Sequence, residues 1–491
     1  MKRWGFLAAL CLPVFAAAQT LGSWTSLPAG DHPRGLAVGD LDGDGIPDLA
    51  VANFGAPTFI GQDVPKGSAG SLQVFSPSPS GLRLTAEAAS GPGSRGVAIT
   101  SLEGGGAAVL VTVYGENRLK SYSLKNRALV LDGEAETAAR PVGVAAGAVE
   151  PGGARVAAVA CYGESKVSFF TLDGKGAPSG RQDVATAPGP TGVALGDFDG
   201  DGRMEAAVAC IGSSKVQVLS RKGGAWAVAA TLDLPEGASP ADIRAGDLNG
   251  DGRTDLAVVL FNQKALAVFL QNPGGLFDPM RTVPTGTDSP NGLAVGALGR
   301  GGKTVVAVAG RDSDRLSLFR FPAGVPQLLD TVPVAEESEA HAMGPVEAVI
   351  LDTDRDGHAE VVVSHLRSGT LRILHCEREA TPTPTPAAPG GAVDPQPLSD
   401  RTTLAYPNPS SGPVKLRFTL DKPADVDVTV LDVTGAVVYA FRVPAGETQT
   451  GSNEAVWRAL THGGAPVASG TYVVKISSGG RSVVKKVFIR R

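Results

Sequence analysis

Beyond residue 18 the sequence has no apolar run approaching the roughly 20 residues that a membrane-spanning helix needs, so no transmembrane segment is expected. It has no long amphipathic helical pattern either, which points away from helical bundles and α/β layers. There is no basic excess. The 44 Lys and Arg stand against 49 Asp and Glu, for a formal charge of -5 and a pI near 5.8, and this argues against nucleic acid as the principal partner. The one clear basic run is the terminal KKVFIRR. No GxSxG, HExxH or phosphate-loop motif is present, so catalysis has no local signature. Cysteine is scarce: Cys11 falls in the leader, and three remain. Cys161 and Cys210 occupy matching repeat positions, AVACYG and AVACIG, and are read as buried reduced thiols rather than a disulfide.

What the sequence has in quantity is 64 Gly, 36 Pro and short runs of Val, Ala and Leu, the composition of many strands and turns. At 491 residues it exceeds one ordinary core, so more than one folding unit is expected. Residues 1–18 carry Lys2 and Arg3, then an apolar stretch and small residues ahead of Gln19. This is the pattern of a secretory signal peptide cleaved after Ala18, and it implies a secreted or cell-surface chain. Leu10, before Cys11, departs from the small residue of a lipid-attachment motif.

The chain repeats itself about every 50 residues. PRGLAVGDLDGDGIPDLAVA from Pro33, PTGVALGDFDGDGRMEAAVA from Pro190 and PADIRAGDLNGDGRTDLAVV from Pro240 are near copies, and weaker ones begin at Ser94, Pro141, Pro290 and Pro345. Each copy reads as four strands joined by turns, the pattern of a propeller blade. The seventh copy ends after TLRILHCE without a fourth strand, while WTSLPAGDHPRGLAVG from Trp24 parallels RTVPTGTDSPNGLAVG from Arg281. Residues near 23–29 are therefore expected to complete the last sheet and leave no open edge.

Four copies carry an Asp-rich loop between their first two strands. The candidate side-chain ligands are Asp40, Asp42, Asp44 and Asp48; Asp197, Asp199, Asp201 and Glu205; Asp247, Asn249, Asp251 and Asp255; and Asp352, Asp354, Asp356 and Glu360. Oxygen donors at loop positions 1, 3, 5 and 9, with a backbone carbonyl at position 7 from Ile46, Arg203, Arg253 or His358, can wrap one hard cation. Glycine at position 6 (Gly45, Gly202, Gly252, Gly357) lets the chain turn around it. An oxygen-only, flexible set favours Ca²⁺ over Zn²⁺ or Mg²⁺, so up to four Ca²⁺ sites are expected. An EF-hand loop starts alike, but it places its last acid at position 12 between helices. Without metal the same residues would be plain Asp-Gly turns.

These motifs resemble the FG-GAP or VCBS repeats of integrin α-subunit-like propellers, whose DxDxDGxxD pattern falls on the positions above. The resemblance implies a seven-bladed β-propeller with calcium on one face, and leaves the ligand open. Past a Pro/Thr-rich linker at 378–400, alternating strands over 401–491 read as a small Ig-like β-sandwich. YPNPSSGPVKLRFTL, LDVTGAVV, SGTYVVKI and KKVFIRR resemble FlgD-type Ig-like domains and the C-terminal sorting domains of type IX secretion. Trp457 falls at the former family's W-D-G position, with Arg458 in place of the Asp. The expected organisation is a signal peptide (1–18), propeller (19–377), linker (378–400) and sandwich (401–491), the last a route to secretion machinery.

The loops opposite the Asp turns are the expected recognition face. Its candidates are Arg34, Arg95, Tyr114, Glu116, Tyr162, Glu164 and Asn291, overhung by the insertion from Asn53, and the expected partner is an extracellular protein or glycan. The alternative is a polysaccharide-active, lyase-like enzyme, since some lyases use calcium-bearing propellers. It would rest on His32, His341 and His365 near Glu336, Glu337, Glu339 and Glu347.

Overall fold

The computed structural model describes residues 21–376 apart from 57–59, 103–104, 151, 276, 300–301 and 337–343, and residues 403–490 apart from 407–413, 421, 433–435, 462–464 and 480. The chain divides into two compact units, Met1–Thr381 and Pro382–Arg491. The signal peptide, the linker and His341 lie outside the described residues.

The first unit is all-β and propeller-like: among the described residues it holds seven antiparallel four-stranded sheets, each formed by consecutive strands save the last. The first strands are Pro33–Gly39, Ser94–Ser101, Pro141–Ala148, Pro190–Gly196, Pro240–Gly246, Pro290–Ala297 and Pro345–Leu351. Each touches its counterpart in the next sheet, and the seventh touches the first. The second strands, such as Asp48–Asn53, Ala107–Val113 and Asp255–Leu260, are buried end to end. Their unbroken Ala, Val and Leu runs suit a strand covered on both faces. The fourth strands, such as Ala128–Glu136 and Ala225–Asp233, are largely exposed.

Seven apolar clusters sit between neighbouring sheets. In one of them Leu49, Val51 and Phe75 of the first sheet meet Val362, Leu371 and Ile373 of the seventh. Each such side chain, fully buried, contributes about 1.5–3 kcal/mol of transfer free energy, so the interfaces between sheets are the core. Glycine makes the close approach at the centre possible. A Cβ on Gly35, Gly96, Gly143 or Gly292 would come within 2.2–2.4 Å of the carbonyl oxygen of Arg95, Val142, Thr191 or Val346 in the following sheet.

Leu21–Pro28 is the fourth strand of the seventh sheet, antiparallel to Thr370–Cys376, with Thr25 opposite Ile373. Its Trp24 ring lies 3.6 Å from the Arg372 guanidinium carbon, and Leu21 joins the cluster of Leu298, Leu316 and Val363. The N-terminal parallel with RTVPTGTDSP thus marks a real strand.

The second unit pairs Leu404–Tyr406, Val414–Leu420 and Gly451–Trp457 in one sheet, and Val437–Val443, Val426–Leu431, Gly470–Ser478 and Arg481–Ile489 in another. Alternating buried residues of Val414–Leu420 and Val426–Leu431 fill its core around Trp457. The indole is fully buried, donates from Nε1 to the Leu460 carbonyl and meets Tyr472 edge-on at 5.5 Å.

Candidate functional site

Each Asp loop is anchored at two points. Its second residue, Leu41, Phe198, Leu248 or Thr353, is buried. Its ninth, the acid Asp48, Glu205, Asp255 or Glu360, opens the second strand, is at most 4 % exposed, and accepts the second residue's N–H at 2.8–3.0 Å. The first Asp closes the turn. Asp40 accepts from Gly43 and Gly45, Asp197 from Gly200 and Gly202, and Asp247 from Gly250 and Gly252, at 2.7–2.9 Å. In the seventh sheet Asp352 accepts from Gly357 at 2.8 Å. The fifth-position Asp takes the N–H of Ile46, Arg203, Arg253 or His358 at 2.8–2.9 Å, which tightens the turn at position 7.

Three sets bring one carboxylate oxygen per residue within 4.8 Å of one another: Asp40, Asp42 and Asp48; Asp197, Asp199 and Glu205; and Asp352, Asp354, Asp356 and Glu360. Burial raises the ninth acid, and the neighbouring Asp charges add to it. Glu205 and Glu360 are pushed up to about 7, Asp255 to about 6, and Asp48 is also raised. Buried acids crowded with their like are destabilised as anions, and a divalent cation reverses the sign of that interaction. The oxygen-only donor set fits one. The fifth-sheet loop differs, because the Asp251 carboxylate is engaged by Asn249 Nδ2 at 2.9 Å and by Arg253. In the seventh, Arg355 occupies the position of Gly43, keeps a left-handed φ of 62°, and reaches Asp44 of the first loop at 3.3 Å.

At the other end of the ring, Arg34, Arg95 and Asn291 are second residues of inner strands and line an axial cavity of about 430 Å³. They belong to the channel rather than to the surrounding loops. Tyr114 corrects the expectation of an exposed recognition residue: it is 3 % exposed, packed with Phe54, Ala56 and Val142, and accepts the Gly61 N–H at 2.9 Å. The insertion from Asn53 is therefore docked, and Arg140 ties it down through the Gly61 carbonyl at 2.6 Å and Asp63 at 2.9 Å. Tyr162 packs against the same cluster. Glu116 pairs with Lys120 at 2.7 Å, and Glu164 with Lys166 at 2.6 Å.

Sequence reasoning missed the network that spans the channel. Arg244 binds Asp242 at 2.6 Å and Glu347, from the seventh sheet, at 3.0 Å. Burial raises the pKa of both acids, that of Glu347 to about 8. Despite its own burial, Arg244 is held above the usual guanidinium value by these two partners. A signal was available: the third inner-strand residue is Gly in five repeats and Asp242 or Glu347 in the other two.

Among the described residues, His32 and His365 have separate partners and surroundings. His32 pairs with Asp31 at 2.6 Å, while His365 is fully buried in the second strand of the seventh sheet. Burial, then the Arg372 charge, pushes the His365 pKa down to about 3. The native ring is therefore neutral at pH values where the unfolded ring, near 6.5, already binds a proton. Stability from this residue is complete above pH 6.5 and is lost as pH falls toward 3, by roughly 1.4 kcal/mol per pH unit within that window. Urea unfolding at pH 6.5, 5.5 and 4.5 should show a shallower decline for His365→Leu than for the parent; equal slopes would remove His365 as the cause.

Sequence comparison places an FG-GAP repeat model on residues 32–75 and an FG-GAP-like repeat model on 156–208. Both stretches contain an Asp loop described above. A FlgD Ig-like domain model matches residues 405–482. The chain carries FG-GAP repeats followed by a FlgD Ig-like domain. No curated protein matches it. Among solved structures, the chain is similar to a Lactobacillus plantarum protein at 18% identity and TM-score 0.48, covering 62% of this chain and 87% of that one. It is also similar to the Pseudomonas aeruginosa periplasmic gluconolactonase PpgL at 20% and 0.46, covering 62% and 86%. PorZ, a surface component of the type-IX secretion system of Porphyromonas gingivalis, matches at 12% and 0.45, covering 94% of this chain and 60% of its own.

Proposed function

We propose that this FG-GAP protein is an extracellular binding scaffold. Its seven sheets form a seven-bladed propeller, Ca²⁺ clasps the Asp loops at one end, and the opposite end meets a protein or glycan. The FlgD Ig-like unit serves sorting or surface attachment. The observation that carries the reading is the common build of the Asp loops. Four sheets place oxygen donors at matching loop positions, each with its buried ninth acid tied to the second residue's N–H. In that role Asp40, Asp42, Asp44 and Asp48 and their counterparts hold the ion, and the ion supplies positive charge that joins the first two strands.

Fractionation of the source organism tests the assignment. The mature chain, lacking residues 1–18, is expected in the medium or on the protease-accessible surface. A chain without residues 398–491 is expected to lose surface retention. An uncleaved intracellular chain, or unchanged retention without the tail, would contradict the corresponding half of the reading.

A further inference from the structure

The axial channel has a charge imbalance that the Asp loops do not explain. Of the two acids at the third inner-strand position, Asp242 and Glu347, both are bound to Arg244. Asp242 also accepts the Leu293 N–H at 3.2 Å, and Glu347 that of Ala348 at 3.3 Å. Arg34 and Arg95 enter the same cavity from adjacent sheets, one step earlier along their strands. The Arg34 guanidinium lies 4.8 Å from the Phe54 ring centre, and Arg95 Nη1 is sealed from solvent with no hydrogen-bond partner. A buried guanidinium donor without an acceptor is costly, and two guanidiniums in one wall repel each other. In keeping with this, burial followed by the charges of Arg95 and Arg311 lowers the Arg34 pKa. Burial lowers that of Arg95 to about 10.

We propose that the axial channel is a binding site for a small carboxylate, which Arg34 and Arg95 clamp while Thr191 and Asn291 line the space for its uncharged body. A planar carboxylate matches the paired donors of a guanidinium. The acids Asp242 and Glu347 share the cavity, so a singly charged group suits it better than a doubly charged phosphate. The cavity, about 430 Å³, has room for a ring-sized body beside the carboxylate. This site is built wholly from first-unit residues outside the Asp loops, so it can fail while the scaffold reading holds.

The test is calorimetric titration of the full chain in excess Ca²⁺ with glucuronate, acetate, glucose and inorganic phosphate. Saturable 1:1 binding of glucuronate, with no binding of glucose and weaker binding of phosphate, is the expected result. Arg95→Gln and Arg34→Gln should each weaken glucuronate about tenfold or more, the scale of a lost charge-assisted hydrogen bond. Arg95→Lys should fall between them and the parent. Should a Gln variant fold poorly, thermal stabilisation of the parent by glucuronate but not by glucose supplies the same comparison. Absence of saturable carboxylate binding, phosphate binding tighter than glucuronate, or undiminished affinity in folded Arg95→Gln would each overturn the proposal.

Discussion

Deletion of residues 19–30 is expected to lower the unfolding free energy of the first unit by on the order of 3–5 kcal/mol, the scale of losing a large core side chain with its surroundings. The strand Leu21–Pro28 covers Thr370–Cys376, places Trp24 over Arg372, and inserts Leu21 among Leu298, Leu316 and Val363. Without it, Thr370–Cys376 becomes an edge with unpaired backbone groups, and Arg372, now only 2 % exposed, is uncovered. Thermal melts and size-exclusion chromatography should therefore report both a lower Tm and concentration-dependent association through the new edge. Trp24→Ala should give a smaller loss of the same sign, because backbone pairing survives. An unchanged Tm in the deletion would mean that three strands suffice for the seventh sheet.

Calcium removal is expected to have the second large effect. A site that binds only the folded chain adds about 2.7 kcal/mol at free Ca²⁺ a hundredfold above its dissociation constant, so chelation should lower Tm clearly. The loop geometry separates two kinds of substitution. Asp199 is exposed and its carboxylate accepts the Asp201 N–H at 3.1 Å within the same turn, so Asp199→Asn should erase one calcium increment and leave the chelated protein almost unchanged. Glu205 is buried and holds the Phe198 N–H, so Glu205→Ala should destabilise with and without Ca²⁺, by about 1–3 kcal/mol for the donor left unmet. Differential scanning calorimetry with Ca²⁺ and with chelator distinguishes them. A chelated Tm equal to the calcium-loaded one would remove the metal from the account.

Much of this was legible because it is periodic. The Asp loops, the buried second strands and the missing fourth strand of the seventh repeat all recur at fixed spacing, so one copy interprets another. The tail's alternating strands were readable for the same reason. What was missed depends on residues that break the pattern and meet across the ring. Asp242, Arg244 and Glu347 replace small or apolar residues in their repeats, and nothing local indicates that a side chain 103 positions away completes the network. Tyr114 follows a second strand at a loop position of its repeat, where a surface residue is expected. The covering insertion belongs to a different sheet, and only docking of Gly61 and Val64 buries it. His365 looked like chemistry by residue type, yet it sits in a strand whose six residues are all buried.

Closure of the ring by its own N-terminal strand also sets an order of events. Thr25 hydrogen-bonds His375 at 3.2 Å, across 350 positions of sequence. Six sheets can form as their local strands emerge, but the seventh waits until Cys376 has been synthesised. Such a long loop closure is slow relative to local hairpins. Until then Leu21–Pro28 lacks its partner strand Thr370–Cys376, so the first residues of the first unit are among the last to find their place in it.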